Sequence, residues 1–246
     1  MSKLSEKRIW GFIGVLAAIF FVASIAITAL TPPGQRLANH INQQFLQLAV
    51  KIKNHIRKRK YHPEIRRTAS KLVSGKDPTD FVARVSSIFR FVADSIGYVL
   101  DPVDSEHISD PVDTLYVGAG DCDCKSILLT TLLESVGYKS FVVLVKPAVD
   151  LTSARILENG HAFVVVSVPD PTKFGDRTRS EMLMALCKEG GSTRYVLPLE
   201  STVCGAHAGW LPEDAIRAIR EHRYIVVDPD SPSVADRNLS LIMLRR

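Results

Sequence analysis

Between Gly118 and Tyr138 the chain reads GAGDCDCKSILLTTLLESVGY. Glycines and short polar residues give way to a dense apolar run, which Gly137 closes. Leu129, Leu132, Leu133 and Val136 recur at i, i+3, i+4 and i+7, the spacing of a buried helical face. Asp121 and Asp123 stand where capping or acidic residues help a helix begin, and Gly137 where helices commonly stop. Cys122 falls at or just before the helix N-terminus. Free N–H groups and the positive end of the helix dipole favour a thiolate there. The stretch predicts a nucleophilic cysteine at the head of a core helix, reacting ahead of Cys124, Cys187 and Cys204.

A thiol nucleophile needs a base to hold or take its proton, and the base needs a third group to fix its tautomer. His161 opens the strand-like run HAFVVVSV directly after Asn159-Gly160. A lone histidine more often makes one hydrogen bond at a strand edge, but Cys122 at a helix start weights the reading towards catalysis. Two carboxylates compete for the third role: Glu200 after the run RYVLPL, and Asp228 after YIVV. Either could instead accept N–H groups of a turn. Glu200 is favoured, because its strand follows that of His161 and can lie beside it. Tyr98 and Tyr116 are candidate donors at an oxyanion site, although half-buried packing is the commoner fate of such tyrosines.

Gly120-Asp121-Cys122-Asp123, then Lys125-Ser126 and a leucine-rich helix ending in Gly137-Tyr138, resemble the nucleophile motif of the transglutaminase-like cysteine peptidases. Ile96-Gly97-Tyr98 and Asp113-Thr114-Leu115 match the lead-in to that cysteine, and Gly160-His161-Ala162-Phe163 the histidine strand. The likeness runs over roughly residues 80–202. It implies a papain-like Cys-His-acid order, with Cys122 as nucleophile, His161 as base and Glu200 where the family usually has Asp. Cys124 departs from the family, which often has a second Asp there. The implied activity is hydrolysis of amide bonds in protein or peptide substrates, or their transfer to an amine, through an acyl-enzyme.

Ahead of this region, Ile9 to Leu30 carries no charge and reaches the roughly 20 residues that a helix needs to cross a bilayer. Here lies the apolar excess behind a mean hydropathy of +0.09. A cleaved signal peptide is the alternative, but the run is longer than the usual apolar region of such peptides, so a single-pass anchor is expected. Lys3, Lys7 and Arg8 precede it, which puts the N-terminus in the cytoplasm and the catalytic domain outside. From Gln35 to Lys60, Leu37, Ile41, Phe45, Leu48, Ile52 and Ile56 mark one helical stripe. A helix packed on the catalytic domain is expected, in preference to a coiled coil or a membrane-surface helix. Lys51, Lys53, Arg57, Lys58, Arg59 and Lys60 make its end basic and supply the net charge of +5. No nucleic-acid motif accompanies them, so a solvated face near anionic lipid is expected and nucleic acid is not. The expected organisation is a tail and anchor over 1–34, a basic juxtamembrane helical segment over 35–76, and the catalytic domain over 77–246.

Helices are expected over Glu64–Val73, Thr79–Ile96 and Pro212–His222, with a short one over Arg179–Lys188. Strands are expected over Ser140–Lys146, His161–Val168, Arg194–Leu199 and, last, Tyr224–Val227. Tyr98–Pro111 reads as an irregular acidic loop and Pro147–Gly160 as a surface connection. Pro198 marks a strand edge or end. Helices followed by an antiparallel run of strands define an α+β domain, with the nucleophile helix packed on the sheet.

The cysteines allow a second class of function. Cys122, Cys124, Cys204 and His207 could form a structural zinc site in a catalytically silent, membrane-tethered interaction domain. Neither the flanking residues nor the leucine-rich helix suits that reading, so the thiol enzyme, with no cofactor and no metal, is preferred. A Cys124–Cys204 disulfide is a third option outside the cell. Cys187 reads as a small buried hydrophobe on its short helix.

Overall fold

The computed structural model describes residues 32–101, 107–174, 183–188, 193–233 and 239–243. The apolar run Ile9–Leu30 lies outside them, and no helix among the described residues is long and apolar enough to cross a membrane.

Helices Pro33–Arg59 (α1), Pro63–Val73 (α2) and Phe81–Arg90 (α3) come first. The Asp80 side chain caps α3 by accepting the Ala83 N–H at 2.9 Å. At its other end α3 passes into a π-helical turn, Phe91–Ser95. Gly97–Tyr98 (β1) then pairs in parallel with Ala119–Gly120 (β2), on either side of a helix, Pro111–Val117 (α4), that the periodicity does not reveal. The helix Cys122–Ser135 (α5) follows at once. Six strands build one antiparallel sheet: Ser140–Val145 (β3), His161–Ser167 (β6), Met184–Lys188 (β7), Thr193–Leu199 (β8), Tyr224–Val227 (β9) and Leu239–Met243 (β10). Their order is β10-β7-β8-β6-β3-β9. The hairpin Ala148–Asp150 (β4) with Arg155–Glu158 (β5) stands apart from it, and Glu213–Arg220 forms α6.

Helices cover both faces of the sheet, which is why β3 and β6 read as continuous apolar runs rather than alternating ones. Leu128, Leu129, Leu132 and Leu133 of α5 meet Ile65 and Ala69 of α2, Val85, Ile88 and Phe89 of α3, and Val164, Val166, Leu197 and Leu199 of the sheet. Ile52 and Ile56 of α1 join Ile127 of α5 against Val142, Leu144, Ala162 and Val227. On the opposite face Phe141, Val143, Phe163 and Val165 pack with Ala215, Ile216 and Ile219 of α6. The result is the expected mixture of helices and antiparallel sheet.

Several expectations need correcting. Residues 184–188 form a strand, not the end of a helix. Met184 and Leu186 both turn into the core at a spacing of two, and β8 and β10 flank the segment on either side. A short apolar run cannot distinguish helix from strand; its neighbours decide. Tyr224–Val227 is not the last strand, since β10 follows it. Pro198 lies near the end of an interior strand, opposite Val165 of β6 and past the residues paired with β7. Pro147–Gly160, expected as a surface connection, is one and also holds a two-stranded ribbon. The basic run is not simply a solvated face. Arg59 bonds Asp110 at 2.6 Å, Lys60 bonds Asp230 at 2.8 Å, and the buried Lys53 donates to the Ser231 and Ser233 carbonyls. Lys51, Arg57 and Lys58 remain exposed.

Because α1 lines the core, Ile52→Ala should lower unfolding free energy by roughly 2–5 kcal/mol in urea titrations. A loss below about 0.5 kcal/mol would mean that α1 is an appended arm.

Candidate active site

Asp121 sets the head of α5. Its backbone is extended and its Oδ1 accepts the Cys124 N–H at 3.0 Å, an N-cap that leaves Cys122 as the first helical residue. Gly120 before it is required by space, since a Cβ there would press on the Cys124 side chain at 2.8 Å. On the facing sheet the backbone N–H of Ala162 donates to the Cys122 sulfur. His161, first residue of β6, stands next to that donor.

Glu200 directly follows β8, the strand paired with β6, and is 0% exposed. Its Oε2 lies 2.6 Å from His161 Nε2, and its Oε1 accepts both the N–H of Thr202 at 2.9 Å and the hydroxyl of Thr202 at 2.6 Å. Both carboxylate oxygens are therefore engaged. With Nε2 directed at a carboxylate, the partner assigns the proton to Nε2 and leaves Nδ1 as the nitrogen able to accept one. Burial alone would lower the pKa of His161, but the hydrogen bond and charge of Glu200 outweigh it and raise the value above 6.5.

Asp228, the rival carboxylate, ends β9 on the far side of β3 from β6 and binds Lys139 Nζ at 2.5 Å. The structure brings Glu200, not Asp228, to His161.

Cys122 and His161 both line a cleft of about 560 Å³, together with Asp121, Asp123, Tyr98, Leu100 and Asn159. One wall comes from α1, through Gln44, Phe45, Leu48 and Lys51. Those wall residues lie in the segment that the sequence sets before the catalytic domain. Of them Phe45 and Leu48 carried a packing signal and Lys51 belonged to the basic run, but none carried a cleft signal. Tyr98 faces the cleft and its hydroxyl stays protonated: burial and the nearby Cys122, Asp121, Glu200 and Asp123 push its pKa up to about 12. Tyr116 is 74% exposed and takes no part in the cleft.

The Cys122 thiol does not match the expectation of a stabilised thiolate. Burial, then the charges of Asp123 and Asp121, push its pKa well above the ordinary thiol range, and the Ala162 N–H offsets only part of this. The helix dipole is real, but two flanking carboxylates and a desolvated sulfur act against it. The resting nucleophile is a thiol.

Cys124 is buried, with its sulfur accepting the Ser109 N–H at 3.3 Å and donating to the His107 carbonyl at 3.5 Å. Burial, despite the Ser109 N–H, pushes its pKa up to about 12, so it acts as a neutral fastener of that loop. Cys204 is exposed and bonds Asp94 at 3.7 Å. All four cysteines are free. The zinc reading fails on geometry: among the described residues only Asp121, Asp123 and Cys124 bring three possible ligand atoms within 4.8 Å of one another, and neither Cys204 nor His207 joins them. Asp121 and Asp123 both accept the Cys124 N–H, a capping arrangement that explains their proximity without an ion. Cys187 lies on a strand, half-buried against the Thr193 hydroxyl.

No protein-family model and no curated protein matches the sequence. Among solved structures the chain is similar to a candidate protease from Parabacteroides distasonis, with 17% identity and a TM-score of 0.36 over 49% of this chain and 25% of that one. It is also similar to a candidate cysteine protease from Cytophaga hutchinsonii, with 13% identity and a TM-score of 0.38 over 74% of this chain and 52% of that one. The chain thus spans a quarter of one and about half of the other, and likeness at this level adds nothing to what the site itself indicates.

With the thiol pKa raised, alkylation of Cys122 in a Cys204→Ser background should keep accelerating above pH 8 and show no plateau at mildly acidic pH. Asp123→Asn removes one of the charges responsible and should speed labelling at pH 7 by about 3–10-fold, one pKa unit being tenfold. In the unmodified protein the exposed Cys204 should compete with Cys122 at neutral pH. A labelling rate for Cys122 that is flat from pH 5 to 8 would instead reveal a preformed thiolate.

Proposed function

We propose that this protein is a membrane-anchored, transglutaminase-like thiol enzyme that cleaves or transfers amide bonds of protein or peptide substrates. The observation that carries the reading is a single one. A helix-head thiol and a histidine share one cleft, and the histidine is held through Nε2 by a fully buried carboxylate.

Cys122 attacks the amide carbonyl as His161 Nδ1 takes the thiol proton, a general-base route suited to a neutral thiol. Glu200 keeps the proton on Nε2 and stabilises the imidazolium that forms. The Cys122 N–H, in the first turn of α5 and so without an intrahelical acceptor, donates to the oxyanion. His161 then returns the proton to the departing amine, leaving an acyl-enzyme. Water resolves it in hydrolysis, and an amine resolves it in transfer. Ile9–Leu30 anchors the enzyme, with the catalytic domain on the extracytoplasmic side.

Cys122→Ala should abolish turnover of peptide substrates. Glu200→Gln should lower kcat strongly, by less than the roughly 10⁴-fold of a serine triad, while Asp228→Asn leaves activity near wild type. Near-normal activity in Glu200→Gln would remove the acid from the mechanism. The pH profile offers an independent check. The base must be neutral, so kcat/KM should rise as pH passes the His161 pKa above 6.5. Glu200→Gln removes the groups that raise this value, so the rising limb should move to lower pH.

A further inference from the structure

We propose that the β4–β5 hairpin is a bilayer-contacting ribbon that seats the domain on the membrane beside its own anchor. The inference rests on the reading of Ile9–Leu30 as that anchor.

The hairpin stands outside the main sheet as a two-stranded ribbon, and its apolar side chains find no core. Leu151 is 51% exposed, Ile156 52% and Leu157 67%. Ile156 and Leu157 are consecutive on β5, so they point to opposite faces of the ribbon, and both stay more than half exposed although β4 touches α1. Isolated two-stranded ribbons are marginal in water, yet this one is tied down at both ends. At its base Glu158 pairs with Arg217 and Arg223, each at 2.9 Å. At its tip the Leu151 backbone lies against Gly34 so closely that any Cβ at residue 34 would collide with it. A rigidly placed ribbon that keeps large apolar side chains in solvent is suited to an apolar surface rather than to folding.

Position identifies that surface. Gly34 lies in the first turn of α1, and the uncharged run ends at Leu30. Four residues of fully extended chain span at most about 14 Å, so the tip is held within that distance of the point where the run ends. The headgroup layer of one leaflet is itself about 5–8 Å deep. A run that crosses the bilayer therefore holds the ribbon tip within about 14 Å of the hydrocarbon edge, where Leu151, Ile156 and Leu157 can enter the interface and the exposed Arg155 can meet lipid phosphate. The cleft residues Gln44 to Lys51 lie about 15–25 Å further along α1. Whatever the tilt of the helix, the cleft wall lies no more than about 40 Å from the end of the run, and its substrates are membrane proteins or peptides at the bilayer surface.

The test uses the full chain in phosphatidylcholine vesicles with plain or brominated acyl chains, and it reads tryptophan quenching. Trp10 and Trp210 are the two native tryptophans. In W210F, bromolipid should quench Trp10, which reports the anchor. In the W10F/W210F background, L157W emission should fall at least about twofold, as a residue set ~5–10 Å into the boundary requires. Y61W, at the far end of α1, should keep its emission. A quenched Trp10 with L157W unquenched and emitting as if in water overturns the ribbon alone. An unquenched Trp10 overturns the anchor and the ribbon together. Activity enters neither reading, so Cys122→Ala protein should give the same result.

Discussion

Burial of α5 on every side is the constraint on which the site depends. From Asp123 to Leu133 each residue is buried, with α1 on one flank, α2 and α3 on another and β6 beneath. A helix so enclosed cannot slide or roll without opening a cavity somewhere, and cavities in a packed core cost several kcal/mol. The position of Cys122 relative to β6 is thus a property of the whole core. Because β6 carries both the Ala162 N–H and His161, and β8 carries Glu200 beside it, one interface sets the sulfur, the imidazole and the carboxylate together.

Charge inside this core is placed with care. Lys125 is 1% exposed and lies one turn into α5, with Nζ on the carbonyl of Ile96 at 2.6 Å and that of Ala93 at 3.4 Å. Those carbonyls belong to the π-helical turn and the residue after it, where an ordinary helical ladder is interrupted. Burial lowers the Lys125 pKa, while Glu200, Cys204 and Asp94 partly counter it. By holding Ile96 the ammonium also fixes Gly97 and Tyr98, which pair with the β2 residues leading into Cys122. Two buried charges of opposite sign, Lys125 and Glu200, therefore brace the site from below, each satisfied by its own set of hydrogen bonds.

The N-terminal helix changes what the cleft can be. As a wall, α1 contributes amides, an aromatic ring and a lysine to a site whose floor is acidic, with Asp121 and Asp123. At its end Arg59 and the capping Lys60 engage Asp110 and Asp230 across the domain. Wall and core are joined through one helix, so whatever fixes the start of α1 also orients the mouth of the cleft.

Much of this was legible in the residues. The period of α5, its cap at Asp121 and its stop at Gly137 are local matters, decided by backbone hydrogen-bonding and helical geometry within a few residues. The strand runs around His161 and Glu200 carried their own β-branched signal, and the adjacency of the two strands brought these residues together as expected. Three features could not be read this way. Residues 184–188 became a strand only because β8 and β10 offered partners. The α1 residues at the cleft became a wall only through long-range packing. The Cys122 thiol ended neutral because desolvation and two carboxylates outweigh a helix dipole. Local order follows from forces that act along the chain; strand choice, cleft walls and pKa values follow from which distant surfaces come to exclude water, and only the tertiary structure decides that.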